Sequence, residues 1–275
     1  MTRRCFFVPE VASNTQVFEL PPPLSRQLES VLRAKPGQSI ELLDGQGSVW
    51  ECLITGISRG RVSVSLIGKL NRPERESPLA ITLGLAIARP DTMDLIVRQA
   101  TEMGVLRLAV FRAARSQYGF SERSEKGERS GKTAEKKKDR WFKIASEAVC
   151  QCGRTRVPET QIFDDLTHFL TFVEDEKEAE GPHRPHTLKI FALEHESCSG
   201  LLSLRGQMGP DIRRVLAVLG PEGGWDKTES SALIEAGFTP VCLGPRILRV
   251  ETAAVALVSS IQLQWGDVDQ LGITN

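Results

Sequence analysis

The chain has no net charge, because 35 Lys and Arg balance 35 Asp and Glu. That balance excludes a protein that grips nucleic acid over its whole surface and leaves only a local basic patch open. No apolar run is long enough to span a bilayer, and the two arginines of "MTRRCFFVPEV" are followed by no hydrophobic stretch of the signal-peptide kind. A cytoplasmic protein is expected. The six cysteines (Cys5, Cys52, Cys150, Cys152, Cys198, Cys242) are scattered with no CxxC pair, so reduced thiols are expected rather than a disulfide framework. There are four histidines, and His183 and His186 sit three apart in "GPHRPH", but further ligands at metal spacing are missing. No metal is expected. GxGxxG and Walker loops are absent too, which weakens any dinucleotide or triphosphate reading.

What is present is a chain of 275 residues with 40% hydrophobic side chains, enough for one large domain or two smaller ones. Residues 1–75 read as a small β-rich domain. Leu24, Leu28, Val31 and Leu32 share one face of a short helix. Runs at 39–43 and 49–57 flank "DGQG", a hairpin signal, and "RVSVSLIG" alternates Val62, Val64 and Leu66 with polar residues. "NRPERESP" at 71–78 reads as a linker.

Residues 76–275 read differently. "LAITLGLAIA" is a continuous apolar run, typical of a strand covered on both faces. A helix follows, capped by Asp91, with Met93, Ile96, Val97, Ala100 and Met103 on its apolar stripe and Gly104 at its end. "VLRLAVF" completes a βαβ unit and predicts a parallel sheet. Residues 121–140 carry eight basic and five acidic side chains and almost no apolar ones, which predicts a solvated loop or an arm for RNA phosphates. "RWFKIASEAVCQCG" is a helix with Trp141, Ile144, Ala145 and Ala148 inward, and "VEDEKEAEGPHRPH" an acidic loop. "LKIFAL", "VLAVLG" and "PVCLG" are strands. Asp226 and Glu229 have capping-box spacing on the helix between the last two. The final helix carries Val250, Ala253, Ala254, Leu257, Val258, Ile261 and Trp265 on one stripe.

Two turns hold the chemistry. In open α/β sheets, ligands collect outside the carboxyl ends of the strands, where "GPEGGW" (220–225) and "LGPRIL" (243–248) both fall. Glycine lets backbone N–H groups approach a ligand, although the same glycines also serve tight turning alone. Arg246 and Arg249 suit phosphate or carboxylate recognition, or an internal salt bridge with Glu251 or Glu222.

"LGPEGGWDKTE" together with "LGPRILRVETAAVALVSSIQLQWGD" resembles the RsmE-like family of small-subunit ribosomal RNA (uracil-N3)-methyltransferases in the SPOUT superfamily. The resemblance extends to "VLRAKPGQSIELLDGQG", "MDLIVRQATEMGV" and "RWFKIASEAVCQCGRTRVP". It implies a PUA-like RNA-binding β-barrel over 1–75. Over 76–275 it implies a SPOUT methyltransferase domain with a deep C-terminal trefoil knot, a homodimer, S-adenosylmethionine as cofactor, and 16S rRNA, within the small ribosomal subunit, as partner. Cofactor contacts are then expected from Leu193, Leu219, Gly220, Pro221, Glu222, Gly223, Gly224, Leu243, Gly244, Ile247, Leu248, Thr252 and Ala253. RNA contacts are expected from Arg3, Arg4, Arg33, Arg89, Arg115 and Arg154. The sequence departs from the family at "ARPDTMD", where Arg89 stands in place of a lysine-glycine pair.

Uracil N3 carries a proton and is a poor nucleophile. Transfer therefore needs a proton acceptor, for which Glu222 and Glu251 are candidates, and charge stabilisation, for which Arg246 and Arg249 are candidates. A ribose 2′-O-methyltransferase of the same superfamily, or an inactive RNA-binding assembly factor, remains an alternative.

Overall fold

The computed structural model describes residues 4–11, 16–71, 75–119, 130–179, 187–194, 199–209 and 212–269. They form two compact units, Met1–Glu76 with Ser146–Val157, and Ser77–Ala145 with Pro158–Asn275. The first unit takes in residues 146–157, so no single cut near residue 75 separates the two. Among the described residues no helix is long and apolar enough to cross a membrane, and no cluster of His, Cys, Asp or Glu could hold a metal ion.

The first unit is a five-stranded sheet. β1 (Cys5–Phe7), β2 (Val17–Glu19), β3 (Ser39–Leu43), β4 (Val49–Ser58) and β5 (Arg61–Leu70) lie in the order β1-β3-β4-β5-β2. β3 and β4 pair antiparallel across the Asp44–Ser48 turn, whose Asp44 carboxylate accepts from the N–H groups of Gln46 and Ser48. α1 (Pro22–Arg26) runs on into a π-helical turn, Gln27–Val31. Leu28, Ile40, Leu42, Ile54, Val62 and Val64 bury the core, as the alternation in β5 requires.

Within this unit Arg154 is only 4% exposed and clamps Glu76 through Nε at 2.9 Å and Nη2 at 2.7 Å. The N–H groups of Thr155 and Arg156 donate to the other oxygen at 2.7 and 3.0 Å. Burial pushes the Glu76 carboxyl up, but the Arg154 guanidinium and these two amides outweigh it and hold the pKa below the ordinary value. This corrects two expectations. Arg154, expected at an RNA phosphate, is instead buried with its Nε and Nη2 committed to Glu76. The end of the 71–78 linker, at Glu76, is structurally anchored.

The second unit holds β6 (Ala80–Ala86), β7 (Arg107–Phe111), β8 (Glu159–Phe163), β9 (Thr187–Ala192), β10 (Ser199–Gly200), β11 (Arg214–Leu219) and β12 (Thr239–Cys242). Their order is β10-β12-β9-β11-β6-β7-β8, and every pairing is parallel. β6 and β11 are near-continuous apolar runs because both faces are covered. The helices are α2 (Pro90–Glu102), α3 (Ser130–Cys152), of which residues 146–152 belong to the first unit, α4 (Leu166–Ala179), α5 (Leu201–Met208), α6 (Lys227–Glu235) and α7 (Val250–Trp265). α2 buries Met93, Ile96, Val97 and Ala100, and α7 buries Val250, Ala254, Leu257, Val258, Ile261 and Trp265.

Three expectations are overturned here. Arg89, not Asp91, occupies the N-cap of α2, because Pro90 takes the first helical position and Asp91 falls in the first turn. The charged stretch is helical from Ser130 onward. Lys137 donates to the Gly119 carbonyl at 2.7 Å, and Arg140 Nε donates to both Asp94 oxygens at 3.0 Å. The "VEDEKEA" part of the acidic loop belongs to α4, on which Phe169 and Val173 are buried. The basic arm before residue 130, Arg3, Cys198 and the histidines at 183, 186 and 195 lie outside the described residues.

Candidate functional site

Because all strands of the second unit run parallel, their carboxyl ends share one edge. The chain builds β6, β7 and β8 outward in one direction, then returns to place β9, β11 and β12 on the other side of β6. That reversal is a topological switch point, where strand-end loops diverge and leave a crevice. Gly220–Gly224 follows β11, Leu193 follows β9, and Leu243–Arg249 follows β12. β9 pairs with both β11 and β12, so the three segments leave neighbouring strands.

The loop after β11 is held from two sides. Trp225, at its end, is buried against Phe111 and Phe191, with ring centroids 6.3 and 6.1 Å away. Its Nε1–H donates to the Ala192 carbonyl at 2.8 Å, tying this loop to the end of β9. A Cβ on Gly220 would stand 2.8 Å from the Trp225 ring, so this glycine makes room for the indole. On the other side, a Cβ on Gly223 would stand 3.1 Å from Arg115 Cβ and 3.3 Å from Arg115 O. Gly220 and Gly223 therefore serve close packing within the chain. Gly224 differs: it has φ +70 with nothing near its missing Cβ, and its N–H donates to Pro221 O at 2.9 Å. The loop then enters α6 through a complete capping box of Asp226 and Glu229.

The loop after β12 has no such support. Gly244 has φ +93 and faces open space, apart from the tip of Arg246 at 3.9 Å. Among the described residues the N–H groups of Gly244, Arg246, Ile247, Leu248 and Arg249 donate to no protein acceptor. Arg249 is the N-cap of α7 and supplies no side-chain cap. The first-turn donors of that helix thus add their partial positive charge to the same edge. Ile247 is 84% exposed, an unusual place for so apolar a side chain. Leu193, Leu243 and Leu248 are half-buried, while Pro221 and Leu219 are buried. Thr252 is exposed and Ala253 half-buried in the first turn of α7. A row of unpaired backbone donors beside apolar side chains fits a flat apolar heterocycle with polar ends.

Glu222, Arg246 and Arg249 are exposed and Glu251 half-buried. The internal salt bridge offered for the two arginines is not formed: among the described residues these four side chains make no ion pair. Arg4 and Arg33 are exposed in the first unit, and Arg89 is exposed in the second. Sequence reasoning missed the Trp225 anchor, although an aromatic immediately after a double glycine is a readable signal for one. It also missed the tie from Arg115.

An open cleft of about 510 Å³ lies elsewhere in the second unit, at the carboxyl ends of β7 and β8, with Arg112, Ala114, Asp165, Thr228 and Glu229 among its lining residues. Its two helix N-termini are already occupied by carboxylates. The His168 N–H, and then the His168 ring, hold Asp165 below the ordinary range. Carboxylates at both helix N-termini make it a poor phosphate site, and the loop pair at the switch point is the stronger candidate.

The fold is that of an α/β protein with a parallel sheet and a topological switch point, and the loop pair beside it is the candidate ligand site. The RNA methyltransferase domain family matches residues 75–262, and the RNA methyltransferase PUA domain family matches 30–67. The ribosomal RNA small subunit methyltransferase E of Bacillus subtilis is 29% identical over 86% of this chain and 85% of its own length. That of Synechocystis is 31% identical over 85% of this chain and 69% of its own length. The crystal structure of the small subunit methyltransferase E from Neisseria gonorrhoeae, bound to S-adenosyl methionine, superposes with a TM-score of 0.77 at 29% identity, covering 97% of this chain and 100% of that one. A Legionella pneumophila methyltransferase with bound SAM gives 0.81 at 27%, covering 98% and 100%. The chain belongs to the ribosomal RNA small subunit methyltransferase E family.

Proposed function

We propose that this chain transfers a methyl group from S-adenosylmethionine to N3 of one uridine in 16S ribosomal RNA. The observation that carries the reading is the near-complete overlap with the cofactor-bound Neisseria enzyme. The unpaired donors of the loop after β12 supply a place for such a cofactor. S-adenosylmethionine, when bound, supplies an electrophilic methyl on a sulfonium.

The chain's own residues do the rest. Backbone N–H groups of 244 and 246–249 hold the polar ends of the cofactor, and Leu193, Leu219, Leu243, Ile247 and Leu248 pack its flat ring. Pro221, Glu222, Gly224, Thr252 and Ala253 complete the wall, with Gly220 and Gly223 shaping it from behind. Glu222 or Glu251 accepts the N3 proton. Arg246 and Arg249, unpaired among the described residues, stabilise the charge that develops on the uracil carbonyl oxygens. N3 lies on the pairing edge, so the target base is unpaired or flipped out.

The first unit is a PUA-like RNA-binding barrel in this reading. The register shifts of β4 at Glu51/Cys52 and Ile54/Gly56 support it, since bulges bend a sheet toward closure. Arg4 and Arg33 there, with Arg89 in the second unit, contact phosphate. The C-terminal segment forms a deep trefoil knot. The chain acts as a cytoplasmic homodimer on the small ribosomal subunit, and exposed Leu202 and Leu263 on α5 and α7 offer apolar surface for pairing.

Nucleoside mass spectrometry of small-subunit rRNA tests the reaction. Deleting the gene should remove N3-methyluridine, and purified protein with cofactor should restore it together with the reverse-transcriptase stop it causes. Ribose-methylated nucleoside, or no incorporation, would overturn the reading.

A further inference from the structure

We infer that Arg115 is a positioning residue for the cofactor loop, and this rests on the methyltransferase reading. Arg115 follows β7 in a tight turn. The Ala113 N–H donates to Ser116 Oγ at 3.1 Å, and the Ser116 N–H donates back to Ala113 O at 3.0 Å. The turn therefore presents Arg115 in a fixed direction. Arg115 Nη1 donates to the carbonyl of Gly223 at 3.3 Å, and Nη2 lies 3.6 Å from Asp226 Oδ2. One residue earlier, the Ala114 N–H donates to Glu229 Oε1 at 2.8 Å. Asp226 and Glu229 are the two members of the α6 capping box. The turn after β7 thus grips the loop after β11 at its glycine carbonyl and at both capping carboxylates.

The close approach of the two backbones explains why residue 223 is glycine. The contacts sit about 110 residues apart in sequence, so they act on tertiary placement of the loop and not on local propensity. The Arg115 side chain is 52% exposed and Asp226 36%. An ion pair so exposed adds little to global stability. Its consequence is local: Trp225 ties the α6 end of the 220–226 loop to β9, while Arg115 holds Gly223 in its middle and Asp226 beside Trp225, and so sets where the loop carbonyls and Glu222 stand. Two of its guanidinium nitrogens meet partners inside the chain, Nη1 on Gly223 O and Nη2 near Asp226.

Arg115→Ala, Arg115→Lys and the unchanged protein should be compared by amide hydrogen exchange without cofactor, by calorimetric binding of S-adenosylhomocysteine, and by RNA binding as a function of salt. In Arg115→Ala the amides of Gly224 and Asp226 should exchange several-fold faster. Cofactor-product affinity should fall about 10-fold, the size of one lost hydrogen bond to a charged group. The lysine variant should recover part of both, since an ammonium reaches one partner but not two, and the melting temperature should hold. Unchanged exchange and product affinity, with RNA affinity and its log–log salt slope reduced by about 0.7–0.9, would make Arg115 a phosphate contact and overturn the inference. If loop exchange responds as stated but even the unchanged protein fails to bind the product, the functional reading falls and the brace stands.

Discussion

The two glycine-rich loops at the switch point look alike in sequence, each opening on Leu-Gly-Pro, yet they are built on opposite plans. The loop after β11 is braced by Trp225, by Arg115 and by a capping box, and two of its glycines are spent on internal packing. In the loop after β12, among the described residues, the N–H groups of 244 and 246–249 and the side chains of Arg246 and Arg249 have no protein partner, and Ile247 is exposed. One loop is a wall whose shape exists before any ligand arrives. In the proposed reading the other makes its contacts with what binds. Preorganising one side and leaving unsatisfied donors on the other puts binding energy into the ligand while keeping the ordering cost small.

Substitutions should separate the two plans, and the largest effect falls on the wall. Trp225→Ala removes a buried aromatic and should cost about 3–5 kcal/mol in a denaturant titration. Gly223→Val drives side-chain atoms into the Arg115 backbone and should cost about 1–3 kcal/mol; a stability loss under about 0.5 kcal/mol would mean that the approach is not tight. On the other loop, Arg249→Ala should leave stability within about 0.5 kcal/mol while lowering turnover about 100-fold. Cofactor affinity should be nearly unchanged, and single-turnover kinetics beside calorimetry reads both. Equal loss of stability in the two loops would erase the comparison.

The smallest effect is one of pH. The Thr228 N–H, then its hydroxyl, hold the Asp226 carboxyl below its ordinary value of 3.8, and Arg115 adds to this. A lowered folded pKa means that the brace is fully present above 3.8 and is lost as pH falls through the lower folded value. Protection of the Gly224 amide should therefore fade on acidification below that point. Asp226→Asn should flatten the profile. Among the described residues the amides of 244 and 246–249 have no comparable bonds to lose, and their exchange should follow only the intrinsic rate.

Patterns within a short window were legible. The apolar runs of β6 and β11, the stripes of α2 and α7, the hairpin at Asp44 and the Asp226–Glu229 box all stand where periodicity and capping chemistry place them. The strands β1, β2 and β10 are three residues or fewer, too short for any period to register. α5 shows no clear apolar stripe, with Leu202 exposed beside buried Leu201 and Leu204. The helical start of α3 is hidden because charged side chains satisfy a helix surface as readily as a loop.

By itself the sequence determined an α/β chain with glycine turns ending two strands, because strand, helix and turn preferences act over a few neighbouring residues. Tertiary structure alone decided what each glycine and arginine is for. Gly223 yields to Arg115 and Gly224 to open space, although they are adjacent. Arg154 is buried against Glu76, while Arg249 stands exposed. Those assignments depend on which distant backbone the strand order brings alongside, and on whether a charge meets a partner before it meets water. No local window carries that information.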